Sequence, residues 1–267
     1  MRIIRFVDDQ EVTQYGVPIG DGRAKVLHGD LFSLTTTGEE VAVKKLLAPL
    51  DPRCIFCIGA NYAAHARESG GTPPERPIIF MKSPGALTHP GDPIRIPRVG
   101  QADGEVDYEG ELAVIIGKAG RDIPQASALE HVFGYACAND VSARWWQKQG
   151  GGGQWVRGKS FDTFCPLGPE LVTADEVGDP QALRIRTHVS GETLQDATTG
   201  DMIFPVAELI SYMSQDTTLL PGMVILTGTP EGVGMARTPK RWLVPNDSVT
   251  IEIEKLGELT NSVVSAT

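Results

Sequence analysis

Acidic residues alternate in the stretch Val106-Asp107-Tyr108-Glu109-Gly110-Glu111-Leu112-Ala113-Val114-Ile115-Ile116-Gly117. Side chains two apart on a strand point the same way. A continuous strand therefore puts Asp107, Glu109 and Glu111 on one face, followed by Ala113 and Ile115. The apolar run before Gly117 reads as a strand covered on both faces. Glu109 and Glu111 then sit where this strand leaves the core. Carboxylates spaced roughly 7 Å apart along a strand repel each other in a poorly solvated place. A proton, a basic side chain or a metal ion must offset this. A hard dication such as Mg²⁺ takes carboxylate oxygens and keeps waters that a substrate can displace. An acidic edge strand wetted by solvent is the alternative, and this stretch alone leaves both open.

Other residues carry chemistry at suggestive spacings. Asp140 directly follows the apolar strand Val132–Ala138 and Asn139. It is a natural third carboxylate, or else an N-cap for the helix-like segment Val141–Gln149. His65 and Glu68 lie three apart in Ala63–Gly70, on one face if this is a helix. A carboxylate on an imidazole fixes its tautomer and raises its basicity; as a plain surface pair it would be worth little. Gly153–Ser160 matches the phosphate-loop pattern G-x-x-x-x-G-K-[ST]. That motif needs a buried strand before it and a helix after it. Here Gln147-Lys148-Gln149 and a glycine run precede it, and Pro166 and Pro169 follow, which rejects a phosphate loop. Lys159, between a glycine and an apolar segment, instead points toward the acids. Thr227-Gly228-Thr229-Pro230 ends a strand and opens a glycine-rich loop, either a carboxylate cradle or a simple turn.

The elements that must position these groups are mostly strands. The chain has 267 residues, thirty of them glycine and nineteen proline, which implies many turns. Residues 1–50 read as a small unit: strands at Arg2–Val7, Thr13–Ile19 and Ala24–Leu27, then helical spacing over Glu39–Leu47, with Pro49 and Pro52 as a boundary. Residues 54–267 follow as the larger unit. It has a strand at Cys54–Gly59, a helix capped by Asn61, a loop over Gly71–Pro77 and a strand at Ile78–Met81. Further strands fall at Leu183–Val189 and Val224–Leu226, an amphipathic helix at Val206–Gln215, and a closing hairpin around Gly257. The fold class is α+β and β-rich: a mixed β-sheet roll or barrel with helices outside.

Composition narrows the partners. A formal net charge of −10 argues against nucleic acid. No apolar run approaches the ~20 residues that span a bilayer, so no membrane partner is expected. The N-terminus reads as a charged strand, not a signal peptide. Cys54 and Cys57, three apart on a strand, face opposite ways and cannot clasp one ion. All four cysteines read as small buried hydrophobes of a reducing compartment, and the protein as cytoplasmic.

Several segments in order resemble the fumarylacetoacetate hydrolase family: Gly59-Ala-Asn61-Tyr62-Ala-Ala-His65-Ala-Arg-Glu68, Phe80-Met-Lys82, Asp107-Tyr-Glu109-Gly-Glu111-Leu-Ala113, Asn139-Asp140-Val-Ser-Ala-Arg144, Gly158-Lys159-Ser160-Phe-Asp-Thr163 and Thr227-Gly-Thr229-Pro-Glu-Gly-Val-Gly234. The resemblance covers residues 54–267, and residues 1–50 are similar to the small extra domain of many bacterial members. It implies a rolled mixed sheet, usually in a homodimer. It implies Mg²⁺ or Mn²⁺ on Glu109, Glu111 and Asp140, with Lys159 beside the metal neutralising an enolate. His65 and Glu68 would form a dyad on a lid. Gln147 would help place a water, and Arg144, Lys82 and Thr229 would hold substrate. Trp145 departs from the family, where many relatives have aspartate. The implied activity is hydrolysis of a C–C bond in a 2,4-diketo acid of the acylpyruvate type, in catabolism. An oxaloacetate-type decarboxylase, a 2-hydroxyhepta-2,4-diene-1,7-dioate-type isomerase and a non-enzymatic cation-stabilised binding module are the alternatives. The His–Glu pair favours hydrolysis.

Overall fold

A computed structural model describes residues 1–100 and 105–265; residues 101–104 and 266–267, inside the expected 54–267 unit, lie outside the described residues. The sheet grows outward from Gly110–Ile116, every residue of which is buried. Its Leu112, Val114, Ile115 and Ile116 each contribute ~1.5–3 kcal/mol of burial. This strand pairs antiparallel with Val132–Asn139 on one side and Val224–Leu226 on the other. Val224–Leu226 runs parallel to Ile55–Gly59, and Ile78–Lys82 closes that end. On the far side Val132–Asn139 pairs with Cys165–Thr173, which pairs with Arg2–Val7. Through Arg2–Val7 the sheet continues into Thr13–Gly20, Arg23–His28 and Thr35–Ala42. The strand order is open at both ends, so the sheet is a roll and not a closed barrel.

A second sheet of five strands runs Glu192–Thr198, Arg184–Val189, Ser248–Ile253, Gly257–Ser265 and Ile94–Ile96. Its inward residues Ile185, Val249, Ile251 and Ile253 join one continuous core with the first sheet. The helices are short and peripheral. Val206–Met213 buries Val206, Leu209, Ile210 and Met213, the i, i+3, i+4, i+7 stripe of an amphipathic helix. Among the described residues no helix is long and apolar enough to cross a membrane.

Four local expectations are corrected. Glu39–Leu47 is not helical: it holds the end of the strand Thr35–Ala42 and the strand Lys45–Leu47. Its apolar residues Val41, Val43 and Leu46 pack on Ile4, Phe6 and Ala24, so cross-strand pairing decides over helical spacing. Asn61 is no N-cap, since Tyr62 takes that place. The Asn61 amide instead donates to Phe204 O and Thr227 O and accepts from Phe204 N, a buried cross-link. Val141–Gln149 divides into a short strand, Ser142–Ala143, and a π-helical turn, Trp146–Gly150. Most important for the site, the acidic strand is broken at Tyr108–Glu109, between Val106–Asp107 and Gly110–Ile116. Asp107 is accordingly not among the carboxylates that cluster, which are Glu109, Glu111 and Asp140.

Candidate active site

The break in the strand builds the floor of the site. Glu109 sits in it, with its backbone N–H donating to Asn139 Oδ1 and its carbonyl accepting from Asp140 N. Glu111 is the second residue of the strand and faces Ala138 across the ladder. Asp140 follows at the end of the partner strand. Each of the three carboxylates offers an oxygen within 4.8 Å of the others. They are 5%, 1% and 0% exposed.

Three cations surround them. Lys159 Nζ lies 2.8 Å from both Glu109 Oε2 and Asp140 Oδ2. Lys82 Nζ is 2.5 Å from Asp140 Oδ1 and donates to Val141 O. Arg144 reaches Glu109 Oε1 at 2.6 Å and Gln147 Oε1 at 3.0 Å through Nη1. Its Nε, 2.9 Å away, and Nη2, 2.8 Å away, meet Asp107 Oδ2. Asp107 also accepts N–H bonds from Tyr108, Gly234 and Met235, so it anchors Arg144 and the Gly232–Met235 loop together.

Electrostatics separates the acids. Burial pushes the Glu109 carboxyl up, but Lys159 and Arg144 outweigh it and hold the group near about 2. Burial, Asp140 and Glu109 push the Glu111 carboxyl well above the usual range. Burial opposes the charge on Lys159, but Asp140 and Glu109 keep it firmly protonated. Four buried acids (Asp107, Glu109, Glu111, Asp140) face three buried cations (Lys82, Arg144, Lys159), so one acid has no cation to match it and needs a proton or a metal ion instead. That acid is Glu111, which accepts from Gly228 N at 2.6 Å. An all-oxygen donor set with excess negative charge fits a hard divalent cation.

His65 stands over this floor on the helix Ala63–Glu68. Its Nδ1 is 2.8 Å from Glu68 Oε1. An ionised carboxylate only accepts, so Nδ1 carries the proton and Nε2 keeps its lone pair. Glu68 is itself fixed by Gly232 N at 2.9 Å. His65, Glu109, Glu111 and Lys159 line one cavity of 180 Å³. Ile58, Phe80, Trp155 and Met235 form its apolar wall, and Arg144, Gln147, Lys148 and Thr229 its polar wall. Gly59 is needed here, because a Cβ would lie 2.6 Å from Trp155 Cζ3.

The sequence-derived residues fall into distinct places. His65, Glu109, Glu111, Arg144, Gln147, Lys159 and Thr229 line the cavity. Asp140 completes the carboxylate cluster, and Glu68 stands behind His65. Lys82 does not line the cavity; it is bound to Asp140 and fully buried. The Thr229 hydroxyl donates to Gly110 O and accepts from Gln195 Nε2. Trp145 is exposed and stacks edge-on against Trp146, away from the lining. Sequence reasoning missed Lys148, Trp155 and Met235. Lys148 had a signal: with Arg144 and Gln147 it makes an i, i+3, i+4 set.

Known proteins resemble this chain along most of its length. Residues 54–264 match the fumarylacetoacetate (FAA) hydrolase C-terminal family, and residues 1–49 the Rv2993c-like N-terminal family. The oxaloacetate tautomerase fahd2, mitochondrial, of Xenopus laevis is 50% identical over 220 residues, 82% of this chain and 68% of its own. The structure of 5-carboxymethyl-2-hydroxymuconate delta-isomerase from Mycobacterium smegmatis is 39% identical with a TM-score of 0.85, covering 100% of both chains. Fumarylpyruvate hydrolase from Pseudomonas aeruginosa, in complex with Mn²⁺ and pyruvate, is 37% identical with a TM-score of 0.73, covering 84% of this chain and 93% of its own. The cytoplasmic expectation is corrected by these relatives: the Xenopus protein and its Bos taurus and Homo sapiens counterparts are named as mitochondrial. A charged first strand does not decide the compartment. With a family match that runs over most of its length and a buried acidic site to go with it, this chain belongs to the fumarylacetoacetate hydrolase family.

Proposed function

We propose that the chain interconverts the keto and enol forms of a 2-oxo acid by moving a proton at the carbon beside the keto group. The observation that carries this reading is an oriented imidazole opening onto the same cavity as the three-carboxylate cluster and Lys159. Glu109, Glu111 and Asp140 would hold Mg²⁺ or Mn²⁺, and the bound ion would supply Lewis acidity toward the substrate's carboxylate and keto oxygens. The remaining work falls to the chain's own residues. His65 Nε2 takes the proton from the carbon beside the keto group and hands it to the enolate oxygen, and Glu68 steadies the imidazolium in between. The Lys159 ammonium sits where negative charge develops on the enolate oxygen. Arg144 keeps Glu109 and Gln147 in place. Lys82 holds Asp140 and is a positioning residue, not a substrate contact. The apolar wall of Ile58, Phe80, Trp155 and Met235 keeps water scarce, which favours return of the proton over attack by water. The tautomerase and isomerase names of the relatives support the same reading.

Hydrolysis of a 2,4-diketo acid is the second reading. The same dyad can activate a water, and one relative of similar structure is named a fumarylpyruvate hydrolase. The test measures decay of enol-oxaloacetate absorbance and cleavage of acetylpyruvate, each with Mg²⁺, for wild type and His65→Ala. Tautomerisation should dominate and should fall about 10²–10⁴-fold in the variant. An unchanged rate in His65→Ala removes the imidazole from the reaction, and dominant acetylpyruvate cleavage makes hydrolysis the activity.

A further inference from the structure

Glu68 is the weak point of the His65–Glu68 pair. It is the last residue of a six-residue helix, too short to hold its own end. Its side chain is 22% exposed, within reach of water. Besides His65, its anchor among the described residues is Gly232 N, 2.9 Å from Oε2 and 3.1 Å from Oε1. The direction of that N–H therefore decides where the carboxylate stands. Gly232 has φ +99°, and a Cβ there would lie 2.0 Å from Leu194 O. Glycine is required, yet glycine by itself fixes no direction. The restraint comes through the Gly232 carbonyl. It accepts from the Tyr108 hydroxyl at 2.9 Å and from Arg237 Nε at 3.3 Å, and Arg237 Nη2 donates to Leu194 O at 2.8 Å. Tyr108 is fully buried and occupies the strand break beside Glu109. Its main chain belongs to the floor and its hydroxyl to the loop behind the dyad, while its ring lies outside the cavity lining.

We propose that Tyr108 is a positioning residue for the His65–Glu68 dyad, acting through Gly232. This rests on His65 as the proton carrier of the proposed reaction. With both lone pairs of its carbonyl engaged, Gly232 loses rotation about its main-chain bonds, and its N–H holds the Glu68 carboxylate against His65 Nδ1. Without the hydroxyl the carboxylate drifts toward water, and the imidazole loses the partner that keeps its proton on Nδ1. Proton transfer then slows although no group that touches substrate has changed.

Tyr108→Phe deletes the hydroxyl and keeps the ring. Tautomerisation of enol-oxaloacetate with Mg²⁺ is measured for wild type, Tyr108→Phe, Glu68→Ala and the double variant, with thermal midpoints to confirm folding. Tyr108→Phe should lower kcat about three- to tenfold, the worth of one neutral hydrogen bond, with KM within about twofold. In the Glu68→Ala background the same change should cost less than about twofold. Arg237→Met, which removes the other donor to that carbonyl, should follow the same pattern. In metal-free protein the ring nitrogen NMR shifts of His65 should show the Nδ1–H tautomer in wild type and a larger Nε2–H share in Tyr108→Phe. Mn²⁺ affinity should stay that of wild type. An unchanged kcat or tautomer ratio in Tyr108→Phe overturns the proposal, as does an equal loss in both backgrounds. Weakened Mn²⁺ binding also overturns it, because the effect would then run through Glu109. Should Glu68→Ala keep the wild-type rate, the dyad reading falls and takes this proposal with it.

Discussion

Asp107→Asn removes a buried charge from beneath the site without changing side-chain volume. Asp107 Oδ1 accepts from Tyr108 N at 2.9 Å and Gly234 N at 2.7 Å, and Oδ2 from Met235 N at 3.0 Å and Arg144 Nε at 2.9 Å. An ionised carboxylate can accept all of these; an amide cannot. Whichever oxygen becomes NH₂, two donors lose their acceptor. Each buried unmet donor costs ~1–3 kcal/mol, and breaking a buried ion pair costs ~3–5 kcal/mol. These overlap, and the loss should be about 3–5 kcal/mol, a large part of the ~5–15 kcal/mol that holds a domain together. Urea unfolding should show a lower midpoint with the slope unchanged, and the thermal midpoint should fall by roughly 6–10 °C, at about 2 °C per kcal/mol for a chain of this length. Asp216→Asn is the control, because that side chain is 93% exposed against Arg121 and should shift stability by less than ~0.5 kcal/mol. A loss below about 1 kcal/mol in Asp107→Asn would refute the anchoring role.

Metal dependence should vary with pH in a direction set by Glu111. Its carboxyl is raised by burial, Asp140 and Glu109. Between the unfolded value near ~4.3 and the higher folded value, the native chain holds a proton that the unfolded chain lacks. Metal-free stability therefore falls as pH rises through that window. A cation displaces the proton, so the thermal gain from Mn²⁺ should grow as pH rises from 5 toward about 8; a gain that shrinks over this range contradicts the assignment. Gly59→Ala should push the Trp155 indole, which stacks edge-on against Phe80 at 5.1 Å, into the cavity. It should cost ~1–3 kcal/mol and raise KM more than it lowers kcat, which steady-state kinetics would show.

Much of the site was legible because its groups stand where strands end. Glu109, Glu111 and Asp140 flank apolar runs, and a charged residue there must leave the core or find a partner. Lys159 was legible because its glycine-rich surroundings could not make a phosphate loop. Asp107 was misplaced because strand alternation was carried through Tyr108–Glu109, where the strand is interrupted. What holds the site in place is long-range and left no local trace. Gly228 N reaches Glu111 across 117 residues, and Gly232 N reaches Glu68 across 164. Asn61 followed the same rule: capping chemistry fits its position, but partners far along the chain took its amide. The strands of residues 35–47 misled for another reason. Thr35–Ala42 is almost wholly exposed, so it lacks the buried alternation that marks a strand.

The account depends most on whether Glu109, Glu111 and Asp140 close around one dication. Calorimetric titration of Mn²⁺ into metal-free protein measures this directly, with Glu111→Gln and Asp140→Asn alongside. One Mn²⁺ per wild-type chain and at least about tenfold weaker binding in each variant is the predicted result. Absence of binding to wild type, or wild-type affinity in either variant, would contradict it.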